Sequence, residues 1–192
     1  YNEVRVYWDN GGEEMLKGEK RREQILAAAE EMFYQNGYER TTVSDIITAL
    51  GLSKGGFYHH FESKEALLQA ICDRKAEDSY AAARRAVDDC PGSWADKFNA
   101  MFDQYGMWQS GNADFMGLLI RVAYREDNLI MRDKLKRKSM GLMLPLVEEI
   151  VKGGVAAQEF ITPYPEGTGM LVLQLGSSFS DSIAGLLLRG DA

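Results

Sequence analysis

A run of helix-capping residues between positions 42 and 53 constrains the fold of this chain more than any other feature. Thr42 is a good N-cap, and Asp45 three residues later is an acidic variant of the capping-box partner. Gly51 can take the left-handed conformation that ends a helix, and Ser53 can cap the helix that follows. Two short helices joined by a glycine turn therefore fit into roughly twenty residues, which is the arrangement of a helix-turn-helix motif.

The remainder of the chain also has helical periodicity. Apolar residues recur at spacings of three and four from about Lys17, and Asn36-Gly37 is a helix-stop pair. No region alternates with period two for long enough to require a sheet, so the sequence predicts an all-α fold. The later helices are predicted after the cap Ser63 to about Asp88, then over Ser93 to Gln109, Ala113 to about Arg125, Leu129 to Lys152, and Pro165 to Leu188.

Glycine and proline give the predicted breaks and the predicted domain boundaries. Gly153-Gly154 and Thr162-Pro163 are interpreted as turns, and Pro145 as a kink inside a helix. Residues 1–16 lack a helical period and are interpreted as an N-terminal extension or an expression remnant. Two domains follow in the prediction, a small N-terminal bundle with the helix-turn-helix over residues 17–63 and a larger C-terminal bundle over residues 64–192.

The composition excludes several classes of protein. The 192 residues are 45% hydrophobic and 27% charged, which is typical of a globular protein with a sizeable core. No stretch approaches 18 consecutive apolar residues, so no membrane span is expected. Cys72 and Cys90 alone make neither a disulfide framework nor a metal signature. The start of the sequence lacks the regions of a signal peptide, and the cytoplasm is the expected compartment.

The net charge of −7 argues against nucleic acid until its distribution is considered. Residues 17–64 contain seven basic and seven acidic side chains, so the whole excess of negative charge lies outside this segment. A neutral segment on an acidic chain can still present a local basic edge, and local charge is what steers phosphate.

The stretch "SKGGFYHHF", residues 53–61, places two glycines, two histidines and three aromatic rings between helical patterns. A metal site is disfavoured because adjacent histidines point about 100° apart on a helix and no partner ligand motif is present. An enzyme site is disfavoured because the chain has no nucleophile elbow, P-loop or dinucleotide fingerprint. Phe57 and Phe61 fit a core face, which leaves the polar rings unexplained by packing. Hydroxyl, imidazole and ammonium donors around an unshielded backbone suit phosphates and base edges, so this stretch is predicted to be a DNA recognition helix.

The runs "ILAAAEEMFYQNGYERTTVSDI" and "LGLSKGGFYHHFESKEALL" carry a family resemblance. With them, the segment from Ile25 to Leu68 resembles the N-terminal domain of the tetracycline-repressor (TetR) family of transcriptional regulators. The resemblance implies a three-helix DNA-binding domain and a larger C-terminal helical bundle that binds a small molecule and forms a homodimer. Beyond Leu68 only the general plan agrees, including "GGVAAQEF" at 153–160, where Gln158 stands in a position at which relatives often have glycine.

The resemblance also implies a set of DNA-binding residues. Thr42 would place its hydroxyl and the N-terminus of its helix on one phosphate, Tyr58 would donate its hydroxyl to a phosphate, and Lys64 would reach a second one. His59 and His60 would contact bases or backbone. The complete implied set is Thr42, Ser53, Lys54, Gly55, Gly56, Tyr58, His59, His60 and Lys64.

The resemblance also implies what four of these residues do. The edge of the groove would be contacted by Ser53, Lys54 and Gly55. Gly56 occupies a position where relatives often carry a side chain that can touch DNA. Its base contact is either missing here or replaced by one from His59.

Two features of the predicted C-terminal domain bear on function. Apolar residues from Leu171 to Leu186 form a stripe interspersed with small residues, which predicts a close helix–helix dimer interface; the alternative is an ordinary buried helix. Methionines and aromatic residues suit an adaptable apolar cavity, although such stripes usually form core. The predicted effector pocket comprises Met101, Tyr105, Trp108, Phe115, Tyr124 and Met143.

The sequence therefore favours a DNA-binding transcriptional regulator that is not an enzyme. We expect a repressor that a small apolar or amphipathic effector releases from double-stranded operator DNA, and we expect no cofactor, metal or membrane partner. The alternative is a small-molecule-binding or enzymatic α-bundle whose helix-turn-helix is vestigial.

Overall fold

The computed structural model describes residues 10–125 and 128–190 of the chain. Within these residues all regular structure is helical and no strand occurs, so the predicted all-α fold is confirmed. The helices are α1 (Asn10–Asn36), α2 (Val43–Leu50), α3 (Lys54–Tyr58), α4 (Lys64–Asp89), α5 (Trp94–Gly111), α6 (Ala113–Ala123), α7 (Leu129–Ala156) and α8 (Pro165–Gly190).

Helix α1 begins earlier than the sequence indicated. It starts at Asn10, so the prediction that the segment before Lys17 is not helical was wrong for residues 10–16. Glycines 11 and 12 were interpreted as a break, but a glycine inside a helix costs only about 1 kcal/mol. Extending an existing helix adds one hydrogen bond for each residue that is fixed, and this gain can offset that cost. Residues 1–9 of the predicted extension lie outside the described residues.

The chain divides into two compact units, one ending at Ala70 and the other beginning at Ile71. The core of the N-terminal unit is formed by one apolar face from each of its helices. Tyr38 packs edge-on against Phe33, with ring centroids 5.0 Å apart. The buried apolar residues of this unit are Ile25, Leu26, Ala29, Phe33, Tyr38, Ile46, Phe57, Phe61, Leu67 and Leu68.

The core of the C-terminal unit lies between α4, α5 and α7, and one face of α8 packs against it. Val172 and Leu173 of α8 are half-buried against this core. Leu171, Leu175 and Phe179 of the same helix are 64%, 71% and 69% exposed in the single chain. The buried residues of this core are Ala83, Val87, Met101, Leu146, Val147, Ile150 and Val151.

Gly153 and Gly154 lie inside α7, so their interpretation as a turn was wrong. Glycine is required there because other parts of the chain pack directly on the helix backbone. A Cβ atom on Gly153 would overlap the Trp94 ring, and one on Gly154 would overlap the Phe160 ring. Pro145 also lies inside α7, and the kink expected at that residue stays a prediction.

The end of α7 lies a few residues beyond the two glycines. Gln158 takes the left-handed conformation with φ of 60°. The amides of Glu159 and Phe160 then both donate to the carbonyl oxygen of Gly154, at 2.8 and 3.1 Å. These bonds satisfy a carbonyl at the helix end, as C-terminal capping requires. The other predicted helices agree with the observed ones to within four residues at either end.

In the described part of the chain, one helix is long and apolar enough to cross a membrane by length and composition alone. It is α8, Pro165–Gly190, and only 6% of its most apolar 18-residue window is buried. A single helix that passes this test is weak evidence for a membrane span.

Candidate nucleic-acid interface

The start of α2 is fixed by a complete capping box. The Thr42 hydroxyl accepts a hydrogen bond from the Asp45 amide at 3.1 Å, and the Asp45 carboxylate accepts from the Thr42 amide at 2.8 Å. The Thr42 hydroxyl also donates to the same carboxylate at 2.7 Å. Both hydrogen bonds from Thr42 lower the pKa of Asp45 below its usual value, and the bond from the amide has the larger effect. The predicted N-cap and its partner are confirmed.

The turn between α2 and α3 follows from Gly51. This residue has φ of 60°, the left-handed conformation that glycine adopts without a Cβ penalty. The next amide, of Leu52, donates to the Ile47 carbonyl at 3.0 Å, which closes the end of α2. Ser53 then caps α3, because its hydroxyl accepts from the Gly56 amide at 3.0 Å. The helix–turn–helix arrangement predicted from these residues is present.

Helix α3 is held by two aromatic anchors. Phe57 is fully buried, Phe61 is 4% exposed, and their ring centroids lie 6.1 Å apart. A helix of five residues is too short to be stable alone, so these anchors fix its position. The residues of α3 and its flanks that were predicted to bind DNA lie elsewhere on its surface. Ser53, Lys54, Gly55, Tyr58 and His59 are exposed, while Gly56 and His60 are half-buried.

The aromatic and imidazole rings near the end of α3 contact one another. Tyr58 is 44% exposed and packs edge-on against Phe57, with centroids 5.4 Å apart. The His59 and His60 rings lie 5.1 Å apart at 76° to each other. A polar aromatic surface thus lies directly over the small apolar core of this unit.

Two of the predicted phosphate contacts have partners within the protein. The Lys64 ammonium donates to the Tyr38 carbonyl oxygen at 3.0 Å and lies 4.2 Å from the centre of the Tyr38 ring. The Thr42 hydroxyl is engaged by Asp45 as a donor and as an acceptor. Both residues therefore have a structural role, and their contacts with DNA stay predictions.

Sequence reasoning did not assign Arg21 and Arg22, which the structure places near α3. The Arg22 guanidinium lies 5.2 Å from the centre of the Phe61 ring, and both arginines are close enough to lower the pKa of His60. A signal was available in the sequence. Arg22 precedes the buried Ile25 by three residues, which places it beside the inward face of α1.

The predicted effector residues occupy three places in the C-terminal unit. Met101 is buried in its core, and Met143 packs against that core. The Trp108 and Phe115 rings are in contact, with centroids 6.4 Å apart. The Tyr124 hydroxyl donates to the Asp181 carboxylate at 2.6 Å.

Tyr105 differs from these residues in its exposure. Its side chain is 37% exposed, while burial of its hydroxyl end raises the pKa of that group. Tyr105 also lies near enough to Tyr124 to help raise the pKa of that residue. Burial is the largest cause of this increase, and the hydrogen bond to Asp181 is the next. The pocket itself stays a prediction.

Within residues 10–125 and 128–190, no three His, Cys, Asp or Glu side chains are grouped as a metal site would need.

Residues 25–71 match the pattern of the bacterial regulatory proteins, tetR family. This segment of the chain therefore carries the N-terminal pattern of the tetR family. The HTH-type transcriptional regulator TtgR of Pseudomonas putida is 37% identical over 75 residues, which are 38% of this chain and 36% of that protein. The matches thus span little more than a third of the length of such curated relatives.

Solved structures extend the likeness of fold over most of the chain. The crystal structure of a bacterial regulatory protein in the tetR family from Rhodococcus RHA1 is 25% identical and covers 84% of each chain, with a TM-score of 0.55. The transcriptional regulator FadR from Bacillus subtilis, solved in complex with stearoyl-CoA, is 20% identical. It covers 88% of this chain and 87% of its own, with a TM-score of 0.67, and it shows the shared fold.

Proposed function

We propose that this chain is a tetR-family transcriptional regulator that binds double-stranded operator DNA through α3. The observation that carries the proposal is the division of α3 into a buried and an exposed face. Phe57 is fully buried, while Lys54, Tyr58 and His59 remain exposed around two glycines. Such donors suit phosphates and base edges in a major groove. The named relative of this segment, TtgR, is itself a transcriptional regulator.

Within this proposal residues 17–63 form the DNA-binding domain, and residues 64–192 bind the effector and form the dimer. Lys54, Ser53 and Gly55 meet the groove edge, Tyr58 contacts a phosphate, and His59 reads a base. A protein that binds operator DNA works in the cytoplasm, and we place the chain there.

We propose that α8 forms a homodimer interface. Its exposed face carries leucines and a phenylalanine beside small residues, and a large exposed apolar patch on a soluble protein marks an interaction site. A two-fold dimer would also place two copies of α3 on the two halves of a palindromic operator. This interface would account for the apolar character of α8 without a membrane.

The effector proposed for the C-terminal unit is apolar or amphipathic, and its binding releases DNA. Support comes from the contact between Trp108 and Phe115 and from the methionines 101 and 143 in or against the core. The solved complex of B. subtilis FadR with stearoyl-CoA shows that a protein of this fold can hold a long acyl chain. We therefore suggest long-chain fatty acids and their CoA thioesters as the first probes.

The experiment that tests DNA binding uses DNA from upstream of the chain's own gene and a duplex of random sequence. The affinity of the wild-type chain should fall steeply with salt, because binding to phosphates releases counterions. His59→Ala should lose about 1–3 kcal/mol on the upstream DNA and little on the random duplex. Arg85→Ala, which removes an exposed cation of the C-terminal unit, is the matched control. A folded protein that binds neither duplex would overturn the proposal.

The effector is tested separately on the complex formed with upstream DNA. Adding the fatty acid or thioester should weaken DNA binding by about 5- to 150-fold, the usual range for coupling between two sites. Trp108→Leu should reduce this effect while leaving DNA affinity without the effector unchanged. Probes that bind the chain and leave its DNA affinity unaltered would contradict effector release.

A further inference from the structure

The two histidines of the chain stand together at the end of the proposed recognition helix. His59 and His60 are the only histidines in the sequence, and their rings lie 5.1 Å apart in an edge-to-face arrangement. His59 is exposed and His60 is half-buried. Both imidazoles of the chain therefore lie together on this surface, and histidine is the side chain that ordinarily changes charge near neutral pH.

Two arginines from α1 complete a cluster of positive and titratable groups. The Arg22 guanidinium lies 5.2 Å from the centre of the Phe61 ring, and Phe61 directly follows His60 in the chain. Arg22 also lies 3.6 Å from the Glu23 carboxylate, and Arg21 donates to the Gln24 amide oxygen at 3.0 Å. The charged groups that act on His60 are Arg21 and Arg22 from α1 and His59 from the end of α3. We call these four residues the cation cluster.

The cluster disfavours a further positive charge in the free protein. Burial, then His59, Arg22 and Arg21, hold the pKa of His60 below its usual value. An anion placed among these groups reverses the sign of the electrostatic effect, because a nearby negative charge favours the protonated imidazole. A DNA phosphate is such an anion, and α3 is where the proposed function places the DNA.

We propose that Arg21, Arg22 and His60 of the cation cluster bind a DNA backbone phosphate and that His60 takes up a proton from the solvent as they do so, while the neighbouring His59 reads a base. This inference rests on the proposed DNA-binding function and adds two arginines of α1 to the interface. Binding and protonation are then linked, so each strengthens the other by the same factor. DNA affinity should rise as the pH falls through the pKa of the bound form and level off below the pKa of the free form.

The test is a titration of the 192-residue chain with a random-sequence duplex at constant salt, between about pH 8 and pH 6 around the usual histidine pKa. Random sequence removes base readout, so the measured affinity reports phosphate contacts. The expected rise is at most about tenfold per pH unit for each proton taken up. Calorimetry in two buffers of different ionisation enthalpy measures proton uptake directly, since the observed heat differs between them only if protons are exchanged.

Three variants test whether the proton is taken up by the cation cluster. The double variant His59→Gln with His60→Gln should bind without proton uptake. Lys54→Gln removes an exposed cation outside the cluster, so it should weaken binding while leaving proton uptake unchanged. Arg22→Gln should raise the pKa of His60 in the free protein, which NMR titration of the imidazole resonances measures. If the His60 variant does not fold, the NMR titration of wild-type protein with and without duplex gives the same answer.

The outcomes separate this inference from the function on which it rests. A folded chain that binds no duplex at any pH overturns the proposed function. Binding that is independent of pH, with equal heats in both buffers, overturns the proton linkage and leaves DNA binding intact. Proton uptake that persists in the double histidine variant also overturns the inference, because it must then arise elsewhere in the chain.

Discussion

The Lys64 ammonium donates a hydrogen bond to the carbonyl oxygen of Tyr38 at 3.0 Å and lies 4.2 Å from the centre of the Tyr38 ring. These contacts join the first residue of α4 to the connection between α1 and α2. Tyr38 in turn packs edge-on against the buried Phe33. Lys64, expected from sequence to be a phosphate contact, therefore also holds the N-terminal unit together.

This relationship predicts that Lys64→Ala destabilises the protein as well as weakening its DNA binding. Losing one charge-assisted hydrogen bond and one cation–π contact should lower the free energy of unfolding by about 1–2 kcal/mol. Urea denaturation followed by circular dichroism measures the change. Lys54→Ala is the matched control, because its exposed side chain should change stability by less than about 0.5 kcal/mol. Equal stability of the two variants would show that the Tyr38 contact contributes nothing.

The neighbouring residues Phe57 and Tyr58 should separate folding from DNA binding. Phe57→Ala empties a fully buried site and should lower the free energy of unfolding by about 3–5 kcal/mol. Tyr58→Phe keeps the ring on Phe57 and removes only the hydroxyl, so its stability should stay within about 0.5 kcal/mol of wild type. We expect Tyr58→Phe to lose about 1 kcal/mol of DNA affinity, the size of one hydrogen bond. Thermal melts and gel-shift titrations of both variants check this, and a Tyr58→Phe protein with full DNA affinity would remove the hydroxyl from the interface.

The sequence predicted a structural feature correctly where the residues that cause it are neighbours in the chain, and it failed where they are far apart in the chain. Thr42, Asp45, Gly51 and Ser53 act on amides within a few residues of themselves, so their spacing predicted the helix-turn-helix correctly. The break expected at Gly153 was wrong because the glycine is there for the Trp94 ring, 59 positions earlier in the chain. No local pattern can reveal a contact of that kind.

The same distinction applies to the candidate site. The exposed and buried sides of α3 follow from the four-residue spacing of Phe57 and Phe61, which could be read directly. The partners of Lys64 and Arg22 lie on other helices or connections, and their positions are set by packing. The sequence grouped Trp108 and Phe115 as candidates for one apolar pocket, and the structure added that their rings are in contact.

The exposed face of α8 predicts a dimer that single substitutions weaken. Gly176 has no atom within 4 Å of the position of an added Cβ in the single chain, so Gly176→Leu should leave the monomer fold intact. In a close helix–helix interface the same leucine should overpack, at a cost of about 1–3 kcal/mol. Analytical ultracentrifugation at micromolar concentration should give about twice the 21.5 kDa chain mass for wild type and a weaker dimer for the variant.

A charge on the same face should act more strongly than the leucine. Phe179→Glu places a carboxylate in the proposed interface and should give monomers, because a buried unpaired charge is costly. Met107→Glu is the matched control, since Met107 is 61% exposed and lies on α5. A wild-type chain that sediments as a monomer, or a Phe179→Glu protein that remains a dimer, would contradict the assignment of α8.

Gln158 offers a test of the backbone at the end of α7. Its φ of 60° is costly for any residue with a Cβ and free of penalty for glycine. Gln158→Gly should therefore raise the free energy of unfolding by up to about 1 kcal/mol, the left-handed penalty less the extra entropy of glycine in the unfolded chain. Ala157→Gly is the matched control, because Ala157 has an ordinary φ of −81° and should lose about 0.5–1 kcal/mol instead. Urea denaturation of both variants should give shifts of opposite sign, and destabilisation by both would show that the left-handed conformation of Gln158 stores no strain.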